Sequence, residues 1–345
     1  MKNLFTKLLI LVALAISQNA TAYDFMVDGL CYNENADGKT VTLTYEHGDY
    51  QQAYTTLNGG EVNIPEHVTY GNTTYTVTGI GYHAFLKCKE LKSVSIPPSI
   101  VFIDEFAWDY CSNLKAVYIK DLAKWCEIDF NGMANANPLR YADRLFLNGE
   151  EVTELVIPNT VNEIKFAQFY GCTSIKKLVI PESVTAIKKS AFNSCLELTD
   201  VIIGDNVTFI ECAAFEYCES LTNLTIGKSV TEIPSSWSGS KQFANCTNLK
   251  SIINLAPTPQ QIDGDVFADL VKQNCILYVP KESVDLYKSA PQWKFFNIQE
   301  YSSGVDEIKM STQSKHSQRY NLLGQPVDEN YHGIVIEDGV KKIMQ

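Results

Sequence analysis

Residues 80–97 read IGYHAFLKCKELKSVSIP, in the frame Ile80-x3-Ala84-Phe85-x2-Cys88-x2-Leu91-x2-Val94-x-Ile96-Pro97. The frame recurs at Ile103, with Ala107, Trp108, Cys111, Leu114, Val117 and Ile119. It returns at Ile164 with Phe169, Cys172, Ile175, Leu178, Ile180 and Pro181. Two further copies start at Ile187 (Ala191, Phe192, Cys195, Leu198, Val201, Ile203) and Ile210 (Ala214, Phe215, Cys218, Leu221, Leu224, Ile226). A last copy, stretched by five residues through Pro234–Gly239, keeps Phe243, Cys246, Leu249 and Ile252. Between Cys111 and Cys172 a divergent copy keeps Val152, Leu155, Ile157, Pro158, Val161 and Ile164, with Gly149 in the cysteine position.

The spacing is the same from Ile80 to Ile103, from Ile164 to Ile187 and from Ile187 to Ile210, and a period of this length marks a solenoid. Each coil holds one short strand of the form Leu-x-x-Val-x-Ile, whose alternate apolar residues face inward. Proline then ends the strand, because it has no N–H for the ladder. The Ser-Val-x-x-Ile step and the Ala-Phe-x-x-Cys turn fill the core from the opposite side. One coil cannot bury these residues alone, but coils stacked about 4.8 Å apart do. The expected fold is therefore a β-rich solenoid of 23-residue coils, with short parallel strands, turns and short helices.

Seven coils over residues 80–254, with a divergent insert at 120–150, leave flanking segments to close the stack. Residues 23–79 alternate as strands do, in Val41-Thr42-Leu43-Thr44-Tyr45 and Tyr75-Thr76-Val77-Thr78, and carry turn signals at Asp37-Gly38 and Asn58-Gly59-Gly60. They read as an N-terminal β cap. Residues 255–301 read as an α+β C-terminal cap, with a strand at Ile276–Val279 and a short helix around Glu282–Ser289. Caps are required, since bare terminal coils expose both core and strand edges. Residues 302–345 read as a polar linker, Ser302–Ser317, and a small β tail, Tyr320–Met344.

The segment Met1–Ala22 has the plan of an export signal. Lys2 and Lys7 precede the apolar run Leu8–Ile16, too short to span a bilayer, and Ala20-Thr21-Ala22 supplies a small-x-small cleavage pattern. The predicted location is outside the cytoplasm: cell surface, secreted or periplasmic. The 345 residues carry 28 Lys+Arg against 40 Asp+Glu, a formal net charge of −12. Partners that need clustered cations, nucleic acid and anionic membrane surfaces, are therefore not expected. No apolar run after Ala22 approaches the roughly 20 residues of a membrane helix.

The repeat resembles the BspA-like bacterial leucine-rich repeat, Leu-x-x-Val-x-Ile-Pro-x-Ser-Val-x-x-Ile-x-x-x-Ala-Phe-x-x-Cys, over residues 80–254. The insert is similar to an element that recurs in these proteins: Trp125-Cys126-x-Ile128-x-Phe130, Asn137-Pro138-Leu139, then Leu145-x-Leu147-Asn148-Gly149. The caps resemble theirs at Tyr23-Asp24-Phe25 with Gly29, and at Leu277-Tyr278-Val279-Pro280 with Tyr287 and Trp293. The resemblance implies a secreted or surface-displayed binding protein of the kind found in Bacteroidota, where some members bind host matrix proteins. The tail Tyr320–Val327, Gly333–Ile336 and Lys341–Ile343 is similar to C-terminal sorting segments of those bacteria, with Ile334-Val335 where an aromatic usually follows the second glycine.

No residue pattern points to catalysis, a metal or a cofactor. The five histidines lack ligand spacing, and no nucleophile motif or phosphate loop occurs. Six of the ten cysteines (Cys88, Cys111, Cys172, Cys195, Cys218, Cys246) share one repeat position, so stacking makes them a column of small side chains in the core. In-register parallel side chains do not readily give the roughly 90° torsion of a disulfide, and zinc needs about four ligands around one point. Cys31, Cys126, Cys212 and Cys275 are scattered. The functional expectation rests on the strands' outward positions. Stacking aligns Tyr118, Val156, Val179 and Ile202 as an apolar stripe and Glu154, Lys177 and Asp200 as a charge ladder beside it. Strand propensity favours Val, Ile and Tyr by itself, but contiguous exposed apolar patches mark interaction sites. The expected function is non-catalytic, adhesin-like binding of an extracellular or host protein, or a glycan, through this face. A scaffold of a cell-envelope complex is the alternative, and a hydrolase with a site in Leu122–Arg144 a third.

Overall fold

The computed structural model describes residues 23–47, 53–54, 57–233, 241–264 and 266–301, and the backbone of four strands between 319 and 344. The export signal at 1–22 and the linker at 302–317 lie outside the described residues.

The coils stack on three walls. On the first, the strands Glu61–Asn63, Ser93–Ile96, Ala116–Ile119 and Leu145–Leu147 pair in parallel, and Glu150–Glu151 closes this sheet antiparallel to Leu145–Leu147. A second sheet on this wall runs in parallel through Glu154–Val156, Lys177–Ile180, Asp200–Ile203, Asn223–Ile226, Ser251–Asn254, Ile276–Val279 and Asn297–Glu300. The period of two sends Val94, Val117, Leu178, Val201 and Leu224 into the core. On the second wall the Ser-Val-x-x-Ile steps pair over two residues, as in Glu163–Ile164 with Ala186–Ile187 and Phe209–Ile210.

The third wall is the Ala-Phe turn. Phe192 N donates to Ala214 O at 2.8 Å and Ser194 N to Glu216 O at 2.8 Å, and the same pair of bonds joins Phe85 and Lys87 to Ala107 and Asp109, both at 2.7 Å. To aim these groups along the stack, the residues on either side of each Ala-Phe-x triplet turn left-handed: His83 and Lys87, Phe106 and Tyr110, Ser190 and Ser194, Ala213 and Tyr217 all have φ between 57° and 61°. A left-handed non-glycine residue costs roughly 1–2 kcal/mol, which the inter-coil bonds and the core they close must offset. The aromatics of this wall form two stacks. Phe85 lies 4.8 Å from Trp108, and Phe169, Phe192, Phe215, Phe243 and Phe267 follow one another at 5.1–5.4 Å with nearly parallel planes.

The stack is longer than the repeat frame. Phe267 extends the aromatic column one coil past Phe243, and the parallel ladder continues through Ile276–Val279 to Asn297–Glu300. A short helix, Val284–Ser289, leads into Trp293, which packs on Tyr287 and Phe267 and closes that end. At the other end the sheet Phe25–Val27, Leu30–Glu34, Thr40–Thr44, Thr73–Ile80, His67–Tyr70 covers the first coil. Its strand Thr73–Ile80 belongs to both parts, since Gly79 and Ile80 pair with Phe102 and Ile103 on the second wall. Gly79 is needed there: a Cβ would stand 2.1 Å from the Phe102 ring. The tail strands Arg319–Asn321, Pro326–Val327, Gly333–Glu337 and Val340–Met344 form an antiparallel sheet of their own.

The structure corrects the reading of the insert. Gly149 is not in a cysteine position; Asn148 (φ 53°) and Gly149 (φ 89°) form the tight turn of the hairpin between Leu145–Leu147 and Glu150–Glu151. That one coil therefore carries two first-wall strands, Leu145–Leu147 and Glu154–Val156, which belong to different sheets.

Phe192 is fully buried and stacked on both faces. Phe192→Ala is expected to destabilise the protein by about 3–5 kcal/mol in urea titrations, whereas Leu196→Ala, at a residue 43% exposed, should change stability by less than about 0.5 kcal/mol.

Candidate binding surface on the first wall

The split in the first wall redistributes the expected stripe. Val156, Val179 and Ile202 are direct neighbours in register, and Thr225 follows Ile202. Val156 is exposed and the other two half-buried. Tyr118 is not beside Val156. Its register neighbours are Ser95 and Phe146, and its ring stacks on Phe146 at 4.7 Å. Tyr118 thus belongs to an aromatic patch on the first sheet, with the Phe146–Glu151 pair between it and the aliphatic patch on the second. Beyond Thr225 the stripe stops, because Ile253 is only 4% exposed.

The charge ladder holds in register but not as a run of ion pairs. Lys177 Nζ lies 3.1 Å from Glu154 Oε1. Asp200 instead accepts from Asn223 Nδ2 and from Thr199 Oγ1, both at 2.7 Å. A second set of charges, which the repeat frame does not single out, lies on the second wall: Lys188 Nζ reaches Glu163 at 3.2 Å and Glu211 at 3.4 Å. All these pairs are solvent-accessible, so they orient more than they stabilise.

Four of the six column cysteines bond to the coil before them, while Cys88 Sγ reaches Leu86 O at 3.8 Å and Cys172 Sγ meets Ser174 Oγ at 3.5 Å, each within its own coil. Cys111 Sγ donates to Phe85 O at 3.0 Å, Cys195 to Phe169 O at 3.3 Å, Cys218 to Phe192 O at 3.3 Å and Cys246 to Phe215 O at 3.1 Å. Each of these carbonyls also accepts the backbone N–H of its own coil's cysteine, as Phe85 O does from Cys88 N at 3.1 Å. The two lone pairs of one oxygen are used by two successive coils, which explains a small donor at this position better than packing alone. All ten cysteines are free. Burial pushes the thiols of Cys88 and Cys172 up to about 11 and raises Cys111, Cys195 and Cys218 as well, so these sulfurs stay protonated and unreactive at neutral pH. Among the described residues no group of His, Cys, Asp and Glu is placed to hold a metal ion.

The insert is tied into the core. Asp121 caps the helix Leu122–Glu127 by accepting from Lys124 N at 3.0 Å. Trp125 Nε1 donates to Gln168 O at 3.3 Å, and Gln168 Nε2 returns a bond to Trp125 O at 2.6 Å. Trp108 Nε1 donates to Ala136 O at 3.0 Å, and Asn137 Nδ2 reaches Ala167 O at 2.7 Å. The buried polar groups of Leu122–Arg144 thus replace the coil-to-coil ladder where the repeat frame lapses. Sequence reasoning quotes Asn137 only within the family-like element, without a role, and does not find Phe146 or Gln168. Only Phe146 has a usable signal, because Leu145-Phe146-Leu147 repeats the in-out-in pattern of Val117-Tyr118-Ile119.

The sequence profile of the BspA-type leucine-rich repeat region matches the chain in six copies, over residues 56–137 and 141–274. Comparison with curated proteins finds no match. Among solved structures the chain is similar to a leucine-rich repeat protein from Bacteroides ovatus, at 20% identity and TM-score 0.35, covering 80% of this chain and 81% of that one. It is also similar to the T. pallidum leucine-rich repeat protein, at 22% identity and TM-score 0.35, covering 66% and 80%. The pneumococcal vaccine antigen PcpA is similar at 15% identity and TM-score 0.32, covering 81% and 98%.

Maleimide labelling of the native protein at pH 7 is expected to modify the half-buried Cys212 and to spare the column until the chain unfolds; denatured, unreduced protein should then titrate at least the six column thiols. Because folding raises the Cys88 pKa from 9.0 to about 11, the unfolded state loses this proton first as pH rises. The Cys88 contribution to stability is complete below pH 9.0 and declines toward pH 11. The urea midpoint should fall over that window, and fall less in Cys88→Ala.

Proposed function

The chain belongs to the BspA-type leucine-rich repeat family, and from that membership and the geometry of its first wall we propose that it is an exported, surface or secreted protein that binds a protein or glycan partner without chemistry of its own. The observation that carries this reading is the run Val156, Val179, Ile202. Three branched apolar side chains stand in register on adjacent coils, facing outward, where strand positions such as Ser95 and Thr225 carry hydroxyls instead. Apolar side chains that meet one another on an outer face gain most when a partner covers them. The stacked Tyr118–Phe146 pair supplies aromatic anchors on the neighbouring sheet, and interface energy concentrates in such residues. The Glu154–Lys177 pair beside the aliphatic patch would set the partner's orientation. Export is supported by the basic start, the Leu8–Ile16 run and Ala20-Thr21-Ala22. Among the described residues no helix is long and apolar enough to cross a membrane.

The experiment is an array of extracellular-matrix proteins and glycans probed with the chain from Tyr23 onward. A partner found this way should be lost at least tenfold in affinity by Val179→Lys with Ile202→Lys, with the melting temperature nearly unchanged because both side chains already reach solvent. Tyr118→Ala with Phe146→Ala should weaken binding by a separate increment. Unchanged binding by the lysine double variant means that the stripe reflects strand propensity and the partner docks elsewhere. Co-purification with envelope proteins alone, and no binding on the array, would replace an adhesin-like role with a scaffold.

A further inference from the structure

Two strand edges meet in one groove at the N-terminal end, on a part of the molecule separate from the stripe. Glu61–Asn63 is the end strand of the first-wall sheet, and His67–Tyr70 is the end strand of the cap sheet. Both line a cavity of about 480 Å³ whose other side is the Val27–Leu30 turn. That volume is within the roughly 300–1,000 Å³ of sites that hold small ligands. The floor is apolar, from the buried Leu30, Tyr32, Val62 and Val68.

The backbone direction along this groove follows from register. Ile64 N donates to Ser95 O at 3.1 Å, and Gly60 O accepts from Lys92 N at 2.6 Å. Alternate residues of a strand send their N–H and C=O to opposite sides. Val62 therefore shares the direction of Gly60 and Ile64, toward Ser93–Ile96. The N–H and C=O groups of Glu61 and Asn63 point the other way, toward the cap. On the opposite strand, Val77 N donates to Glu66 O at 3.0 Å, so His67 and Thr69 likewise turn their backbone groups away from Thr73–Ile80. An exposed row of this kind is a template for a further strand.

The charge of the groove selects the occupant. Apart from the buried Tyr32 phenol, its ionisable lining residues are Asp28, Glu61 and His67, with no lysine or arginine among them, in a chain of net charge −12. Backbone pairing alone would accept any extended chain. The two carboxylates favour one that brings a cation, and the long-range field draws it in.

We propose that this groove binds an extended cationic peptide, which adds as a strand to the Glu61–Asn63 edge and sets a lysine or arginine side chain against Asp28 and Glu61. The backbone bonds supply length-dependent affinity, and the acids supply the preference for positive charge.

The test uses the chain from Tyr23 onward and three peptides labelled with fluorescein on an N-terminal β-alanine: β-alanyl-Thr-Val-Lys-Val-Thr-amide, its glutamate counterpart, and the lysine peptide N-methylated on alternate residues. Expected results are saturable binding of the lysine peptide, at least tenfold weaker binding of the other two, and slowed hydrogen exchange at the Glu61 and Asn63 amides when the lysine peptide is present. Asp28→Asn with Glu61→Gln, both at exposed positions, should reduce the lysine peptide's affinity about tenfold while leaving the melting temperature in place. Equal binding of lysine and glutamate peptides, undiminished binding after N-methylation, or no binding at all would overturn the proposal. So would protection of these amides that grows with protein concentration without peptide, which would mean that a second copy of the chain occupies the edge.

Discussion

Everything in this molecule depends on the hydrogen bonds that join one coil to the next. A single coil has one short strand, one shorter step and one turn; the turn closes a few bonds of its own, such as Cys88 N to Phe85 O, but the strand and the step have no ladder partner within their coil. The partners lie one repeat further along the chain, on all three walls. This is why the chain tolerates paired left-handed residues in coil after coil: they swing the Ala-Phe turn so that its amides and carbonyls face along the stack. The stacking also gives cysteine a bonding role at four of the six column positions. The carbonyl of the stacked aromatic has one lone pair left after bonding its own coil, and the next coil's thiol takes it. A small donor that is otherwise apolar satisfies a buried acceptor without bringing a second polar demand into the core.

Stacking of this kind leaves a problem wherever the period lapses and wherever the stack ends. At the lapse, the insert substitutes side chains for backbone. Asn137, Gln168 and two tryptophan indoles bond to main-chain oxygens across the gap, so the core continues although the first-wall ladder does not. The hairpin at Asn148-Gly149 uses the interruption to place an antiparallel strand on the edge of one sheet before the next begins. At the C-terminal end the ladder continues on sequence that no longer fits the repeat, until Trp293 covers the last aromatic. At the N-terminal end the cap shares a strand with the second wall but leaves the Glu61–Asn63 edge of the first wall facing a groove.

The outer surface inherits these divisions. Because two strands from one coil fall in different sheets, the aromatic pair Tyr118–Phe146 and the aliphatic run Val156–Val179–Ile202 are separate patches, with Glu151 between them. A partner covering both must cross the Glu150–Glu151 edge, where Glu151 is paired with Arg144 at 3.6 Å, and one covering only the aliphatic run meets the Glu154–Lys177 pair at its margin. The burial of Ile253 fixes the other limit of the run.

The sequence by itself determined the coil, because a repeating frame states its own register. Once Leu178, Val201 and Leu224 are known to point inward, Val179, Ile202 and Thr225 must point outward, and the neighbours of each lie one repeat away. It also placed the Glu154–Lys177 contact, the cysteine column, and a β cap before the coils with an α+β cap after them. Tertiary structure alone decided whatever depends on a departure from the period. Tyr118 stands beside Phe146 rather than Val156, and counting coils cannot reveal this because one coil holds two strands. The Asn148-Gly149 turn carried the signal, but a divergent repeat and a hairpin read alike until the pairing of Leu145–Leu147 is seen. Asn137 and Gln168 have no periodic mark, since their role is to tie the insert to the next coil through backbone oxygens, Gln168 O among them, which the indole of Trp125 and the amide of Asn137 both reach. The continuation past Asn254 was hidden for the same reason: backbone hydrogen bonds define the stack, they need no particular side chain, and so the ladder runs on after the repeat in the sequence has ended.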